Sequence, residues 1–79
     1  MWLRTKNNLI NLDRIYYFNS NTQSNKTEAV YANSIFVCLC HPDEVQPLLD
    51  AIANALANNR KVFGVPEWLD DYRIRRNDQ

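Results

Sequence analysis

Seventy-nine residues, 46% hydrophobic and 23% charged, are too apolar for a disordered chain, yet a domain of this size buries only about 60% of its unfolded surface, so stability is marginal. Nine basic residues balance nine acidic ones, which leaves no broad field to draw in nucleic acid or anionic lipid. No apolar run approaches the roughly 20 residues that span a bilayer, and the N-terminal residues lack the charged-then-apolar layout of a secretory signal, so the expectation is cytoplasmic with no membrane partner.

In chain order, Met1 to Thr5 is extended, Lys6-Asn7-Asn8 reads as a turn, and Leu9 to Leu12 resumes with β-prone residues, which predicts a first hairpin. Gly64 is the only glycine, so the eleven asparagines must supply most of the left-handed positions that tight turns need. Asp13-Arg14 breaks the apolar pattern before Ile15-Tyr16-Tyr17-Phe18, a dense aromatic strand signal. Simple alternation sets Tyr16 and Phe18 on one face and Tyr17 on the other. Asn19 to Lys26 is polar and reads as a loop, Thr27 to Ala32 as a strand, and Asn33-Ser34 as a two-residue turn into Ile35 to Cys40, a single long bent strand being the alternative. In that last strand Ile35, Val37 and Leu39 point one way and Phe36, Cys38 and Cys40 the other. Neither set is polar, a pattern expected of a strand covered on both sides.

The period then changes. Val45, Leu48, Leu49, Ile52 and Leu56 form the stripe of an amphipathic helix, with four alanines adding propensity. Pro47 suggests that the regular helix begins there after a turn from Pro42 to Gln46, and Asn58-Asn59 followed by Arg60-Lys61 marks its end. Val62 to Val65 is a short extended piece, Pro66 to Tyr72 one or two helical turns, and Arg73 to Gln79 a polar, frayed tail. The fold class is therefore α+β, as one domain over residues 1–79. It comprises an antiparallel β-meander of four to five strands (1–40), one amphipathic α-helix (45–59) and a short C-terminal extension (60–79).

Chemistry-bearing residues are sparse. Cys38-Leu39-Cys40-His41 is the one cluster of ligand types, and a regular strand aims both sulfurs to one face with an imidazole nearby. Structural zinc wants four ligands, so Cys38, Cys40 and His41 would need Asp43, Glu44 or a neighbouring subunit to complete a site; the simpler reading is two small buried hydrophobes and no cofactor. Asp43-Glu44 and Asp70-Asp71 sit where the first turn of a helix favours negative charge. Phosphate-loop, nucleophile-elbow and zinc-protease patterns are absent, so a non-enzyme is expected. Tyr16 and Tyr17 with Arg14 and Lys26 form the alternative of a single-strand nucleic-acid surface. Trp68, Leu69 and Tyr72, four apart at the outer pair, form a compact aromatic face, and with Phe36 they are the candidate interface.

The run M-W-L-R-T-K-N-N-L-I-N-L-D-R-I-Y-Y-F, the V-Y-A-N-S-I-F-V hairpin and the L-L-D-A-I helix together resemble small bacterial β-meander-plus-helix proteins such as the FlbD-like flagellar family, over residues 1 to 57. That resemblance implies element order and carries no functional residue. The expectation for function is a small non-catalytic protein-interaction or regulatory module that self-associates as a homo-oligomer or binds a protein partner. A nucleic-acid binder and a metal or thiol site are the alternatives.

Overall fold

The N-terminal hairpin forms where the turn residues place it. In the computed structural model, which describes residues 1–31 and 35–77 and the side chains of all of these but Tyr31, Ile35 and Phe36, β1 (Trp2–Arg4) pairs antiparallel with β2 (Leu9–Asn11). The buried Thr5 closes the turn: its backbone N–H donates to the Asn8 carbonyl at 2.8 Å, and its Oγ1 accepts from the Asn8 N–H at 3.0 Å. Leu3 and Ile10, paired across the hairpin, point into the core.

A 3-10 turn at Leu12–Arg14 then leads the chain into β3 (Ile15–Asn21), β4 (Lys26–Tyr31) and β5 (Ile35–Cys40), an antiparallel meander in that order. The strands of residues 1–40 are thus divided between two sheets. The first is completed by β6 (Val62–Gly64), which pairs parallel with β1 on the side away from β2, giving the order β2-β1-β6. The expected extended piece at 62–65 is this sixth strand, and its last residue, Val65, begins a helix instead.

The polar run Asn19 to Lys26 is half strand, with the expected loop shortened to a turn at residues 22–25. Ser20 and Thr27 share a hydroxyl hydrogen bond of 2.9 Å across the ladder, and Asn21 Oδ1 accepts the Gln23 N–H at 3.0 Å to turn the chain. Asn25, in this turn, and Asn59, after the long helix, are the two non-glycine residues at positive φ among the described residues, both at 57°. Asparagine tolerates that conformation best after glycine. The predicted Asn33-Ser34 turn lies outside the described residues.

Two bulges break the period of two. Ile15 pairs with Tyr31 but Tyr17 with Val30, so Tyr16 is an extra residue; Thr27 pairs with Cys40 but Glu28 with Cys38, so Leu39 is another. An extra residue lets adjacent side chains share a face. Hence Leu39 and Cys40 are both buried, whereas Tyr16 and Tyr17 are both exposed.

Helix α1 (Val45–Ala57) follows a 3-10 turn at Pro42–Glu44 and starts two residues before Pro47. Proline is accommodated because the first N–H groups of a helix have no intrahelical partner. The buried stripe is Leu48, Ile52 and Ala55, with Leu56 turned outward. The helix ends in a Schellman motif: the Arg60 N–H reaches the Ala55 carbonyl and the Asn59 N–H the Leu56 carbonyl, each at 3.0 Å, with Asn59 left-handed. Helix α2 (Val65–Asn77) is thirteen residues long and takes in most of the expected tail. One core joins the layers: Leu3, Ile10 and Phe63 from the first sheet, Ala29, Val37, Leu39 and Cys40 from the second, and Leu48, Ile52, Ala55, Val65 and Leu69 from the helices.

Candidate functional site

The CLCH segment does not assemble as a ligand set. Because of the bulge at Leu39, Cys38 is exposed beside Glu28 while Cys40 is buried, so the two sulfurs do not share a face as a regular strand would make them. Burial pushes the Cys40 thiol up to about 11, with a Thr27 side-chain hydrogen bond pulling more weakly the other way. A thiol held there is protonated at neutral pH and is neither a nucleophile nor a ready metal ligand. The His41 Nδ1 donates to the Asn25 carbonyl at 3.0 Å, which ties the β3–β4 turn to the approach to α1. Among the described residues no group of three or more His, Cys, Asp or Glu side chains is placed to hold a metal ion.

Glu44 caps the helical turn it belongs to, as its place in the sequence suggests, and also holds α2. It is 1% exposed, its Oε1 accepts the His41 backbone N–H at 3.0 Å, and both carboxylate oxygens receive Arg73, from Nε at 2.8 Å and Nη2 at 2.9 Å. Arg73 holds the Glu44 carboxyl below its usual range, burial opposing it. Arg76 Nη1 meets Asp43 Oδ2 at 3.1 Å, so two ion pairs fasten α2 to the turn before α1. Asp71 pairs with Arg75 one helical turn on. Arg73 to Asn77 are therefore helical and anchored, where the sequence suggested fraying.

The nucleic-acid candidates are split. Tyr16 and Tyr17 stand out together at 72% and 55% exposure, with the exposed Arg14 just before them. Lys26, however, pairs with Asn21 at the far end of the same hairpin, roughly 15 Å away at about 3.3 Å per residue. Arg14 and Lys26 therefore do not frame the tyrosines together.

The expected aromatic interface belongs largely to the molecule itself. Leu69 is buried, Trp68 is half-buried against the core, and Tyr72 stacks on Trp68 with ring centroids 5.1 Å apart and planes 11° from parallel. Phe36 is the Cα partner of Val30, and its side chain lies outside the described residues. The face of the second sheet that carries Cys38 is polar near that residue, with Glu28 half-buried and Asn19 exposed in register with it. The expected cover on both sides of β5 is therefore missing at Cys38, whereas Val30, in register with Phe36, is buried.

Three of the seven large apolar side chains exposed among the described residues lie on the first sheet. With Leu3, Ile10 and Phe63 pointing inward, alternation turns Trp2, Leu9 and Val62 outward, and all three are exposed, at 43%, 59% and 45%. Trp2 is in register with Val62, and Leu9 is in register with Arg4, the next outward residue of β1. Arg4 reaches across Gly64 to pair with Glu67 on α2. A Cβ on Gly64 would run into the Glu67 carboxylate, so the chain's one glycine leaves room for that bridge. Beside it a groove of about 530 Å³ runs between β6 and α2, with Val62, Phe63 and Trp68 in its lining and Arg60, Glu67 and Asp71 among its polar residues. Trp2 and Leu9 were legible as outward residues from Leu3 and Ile10 alone; Val62 was not, because its strand is fixed by a distant partner. The chain matches no family model, no curated protein and no solved structure. No helix among the described residues is long and apolar enough to cross a membrane.

Proposed function

We propose that this chain is a non-catalytic protein-interaction module that docks a partner protein on the outward face of the β2-β1-β6 sheet. The observation that carries the reading is the placement of Trp2, Leu9 and Val62, three large apolar side chains exposed on one face of one small sheet. Grouped exposed apolar side chains rimmed by polar residues mark contact surfaces, whereas scattered ones do not. Tryptophan at the centre of such a surface is a common energetic anchor. The rim here carries both signs, with Arg4 bonded to Glu67 and Arg60 and Asp71 further along the groove. The fitting partner is therefore a segment with apolar side chains at its centre and balanced charge around them, rather than a polyanion.

The reading is also supported by what the polar residues are doing. Glu44, Arg73, Asp43, Arg76, Asp71 and Arg75 are paired with one another, and the Cys40 thiol is held protonated. The test is a double substitution, Trp2→Lys with Leu9→Lys, on residues whose side chains leave the core untouched. Far-UV circular dichroism is expected to be unchanged, and a partner that co-purifies with the wild-type chain from its native host is expected to be lost. Ala53→Lys, on the exposed side of α1, is the control that retains it. Retention of the partner by the double variant would contradict the reading.

A further inference from the structure

We infer that two copies of this chain associate by antiparallel pairing of β3 with β3, joining their meanders into one six-stranded sheet. The inference goes beyond the docking face proposed above, because it uses the other sheet and an edge rather than a face. β3 is seven residues long and lies at one end of the order β3-β4-β5, with no strand on its free side. The opposite edge strand, β5, is a residue shorter, and its Cys38 and Leu39 share a cleft with Leu69 and Arg73 of α2. The edges of the first sheet are strands of only three residues each. β3 is thus the longest edge strand among the described residues.

Edges are ordinarily blunted by charge, by proline, by shortness or by a bulge. Ile15 to Asn21 contains no charged residue and no proline, and its one bulge, at Tyr16, lies near the start, so Tyr17 to Asn21 runs in unbroken register. The occupant follows from this composition. A charged partner strand would meet no counter-charge along β3, whereas a second copy brings none, and the chain's zero net charge removes long-range repulsion between copies. A twofold axis at Phe18 aligns the whole strand on itself. It sets Tyr17 opposite Asn19 of the second copy and Phe18 opposite its own equivalent, and Asp13 and Arg14 fall opposite the uncharged Gln23 and Thr22. Phe18, half-buried at the rim of the core, is covered by its symmetry mate, and Tyr17 gains a neighbour on the outward face.

The test is sedimentation or light scattering over a concentration series, with two double variants at exposed positions. Tyr17→Lys with Asn19→Lys sets lysine against lysine twice across the axis and is expected to weaken dimerisation roughly tenfold or more. Tyr17→Lys with Asn19→Glu sets lysine against glutamate and is expected to stay within about threefold of wild type. Trp2→Lys is expected to leave the dimer unchanged, so loss of partner binding and loss of self-association are read separately. A wild-type chain that stays monomeric throughout, two double variants that behave alike, or a dimer lost on Trp2→Lys would each overturn the inference; circular dichroism on every variant confirms that the fold is retained.

Discussion

The two sheets solve the same burial problem with different resources. The meander β3-β4-β5 is built from neighbours in sequence and sends Ala29, Val37, Leu39 and Cys40 into the core. The sheet β2-β1-β6 contributes one residue per strand, Leu3, Ile10 and Phe63, and its third strand arrives from the far end of the chain. Strands this short, each with one inward residue, leave two of every three side-chain positions outside the core. On this sheet three of those outward positions remain apolar, which is where a chain can hold a binding surface without weakening its core.

If that contrast is right, the largest effect should come from Phe63→Ala, which removes the buried centre of β6. The expected loss is about 3 kcal/mol, and amide exchange should accelerate in β1 and β2 more than in β3 and β4. Uniform acceleration in both sheets would show that they open as one unit.

A smaller effect is expected from Glu44→Gln, which breaks the clamp that brings α2, and with it β6, back to the body. Arg73 is 44% exposed and can return to water, so the loss should be about 2 kcal/mol rather than the full cost of an orphaned buried charge. The carboxyl of Glu44 is held below its unfolded value. Its contribution is therefore complete above the usual glutamate pKa of about 4.3 and disappears as pH falls through the lowered value. Urea midpoints of wild type and variant should differ most near neutral pH and converge in acid.

The smallest effect is a difference in reactivity between two cysteines on one strand. With Cys38 exposed and the Cys40 thiol at about 11, alkylation of the native protein near pH 8 should label Cys38 and spare Cys40. Equal labelling would remove the bulge at Leu39 from the account.

The elements that depend on local signals were legible. Thr5 to Asn8 closes the hairpin that Lys6-Asn7-Asn8 announced, and Asn58-Asn59 ends α1 as its composition suggested. What escaped was non-local or broke the period. α2 continues past Tyr72 although Asp70 to Asn77 shows no apolar stripe, because Arg73 and Arg76 are held by residues about thirty positions earlier. Tyr16 and Tyr17 share a face because one extra residue cancels the alternation that separated them. The α1 stripe closes on Ala55 instead of Leu56, a one-residue rotation that the larger side chain concealed. Alternation about Leu3 and Ile10 turns Trp2 and Leu9 outward, but their union with Val62 on one face rests on the parallel pairing with β6, which no local signal announces.

The central claim is that the outward face of the first sheet is where a partner docks. A photo-cross-linking residue at position 9, compared with the same residue at position 53 on the exposed side of α1, tests it in the native host. The account predicts one discrete cross-linked partner from position 9 and none from position 53, and equal capture at both positions, or none at position 9, would contradict it.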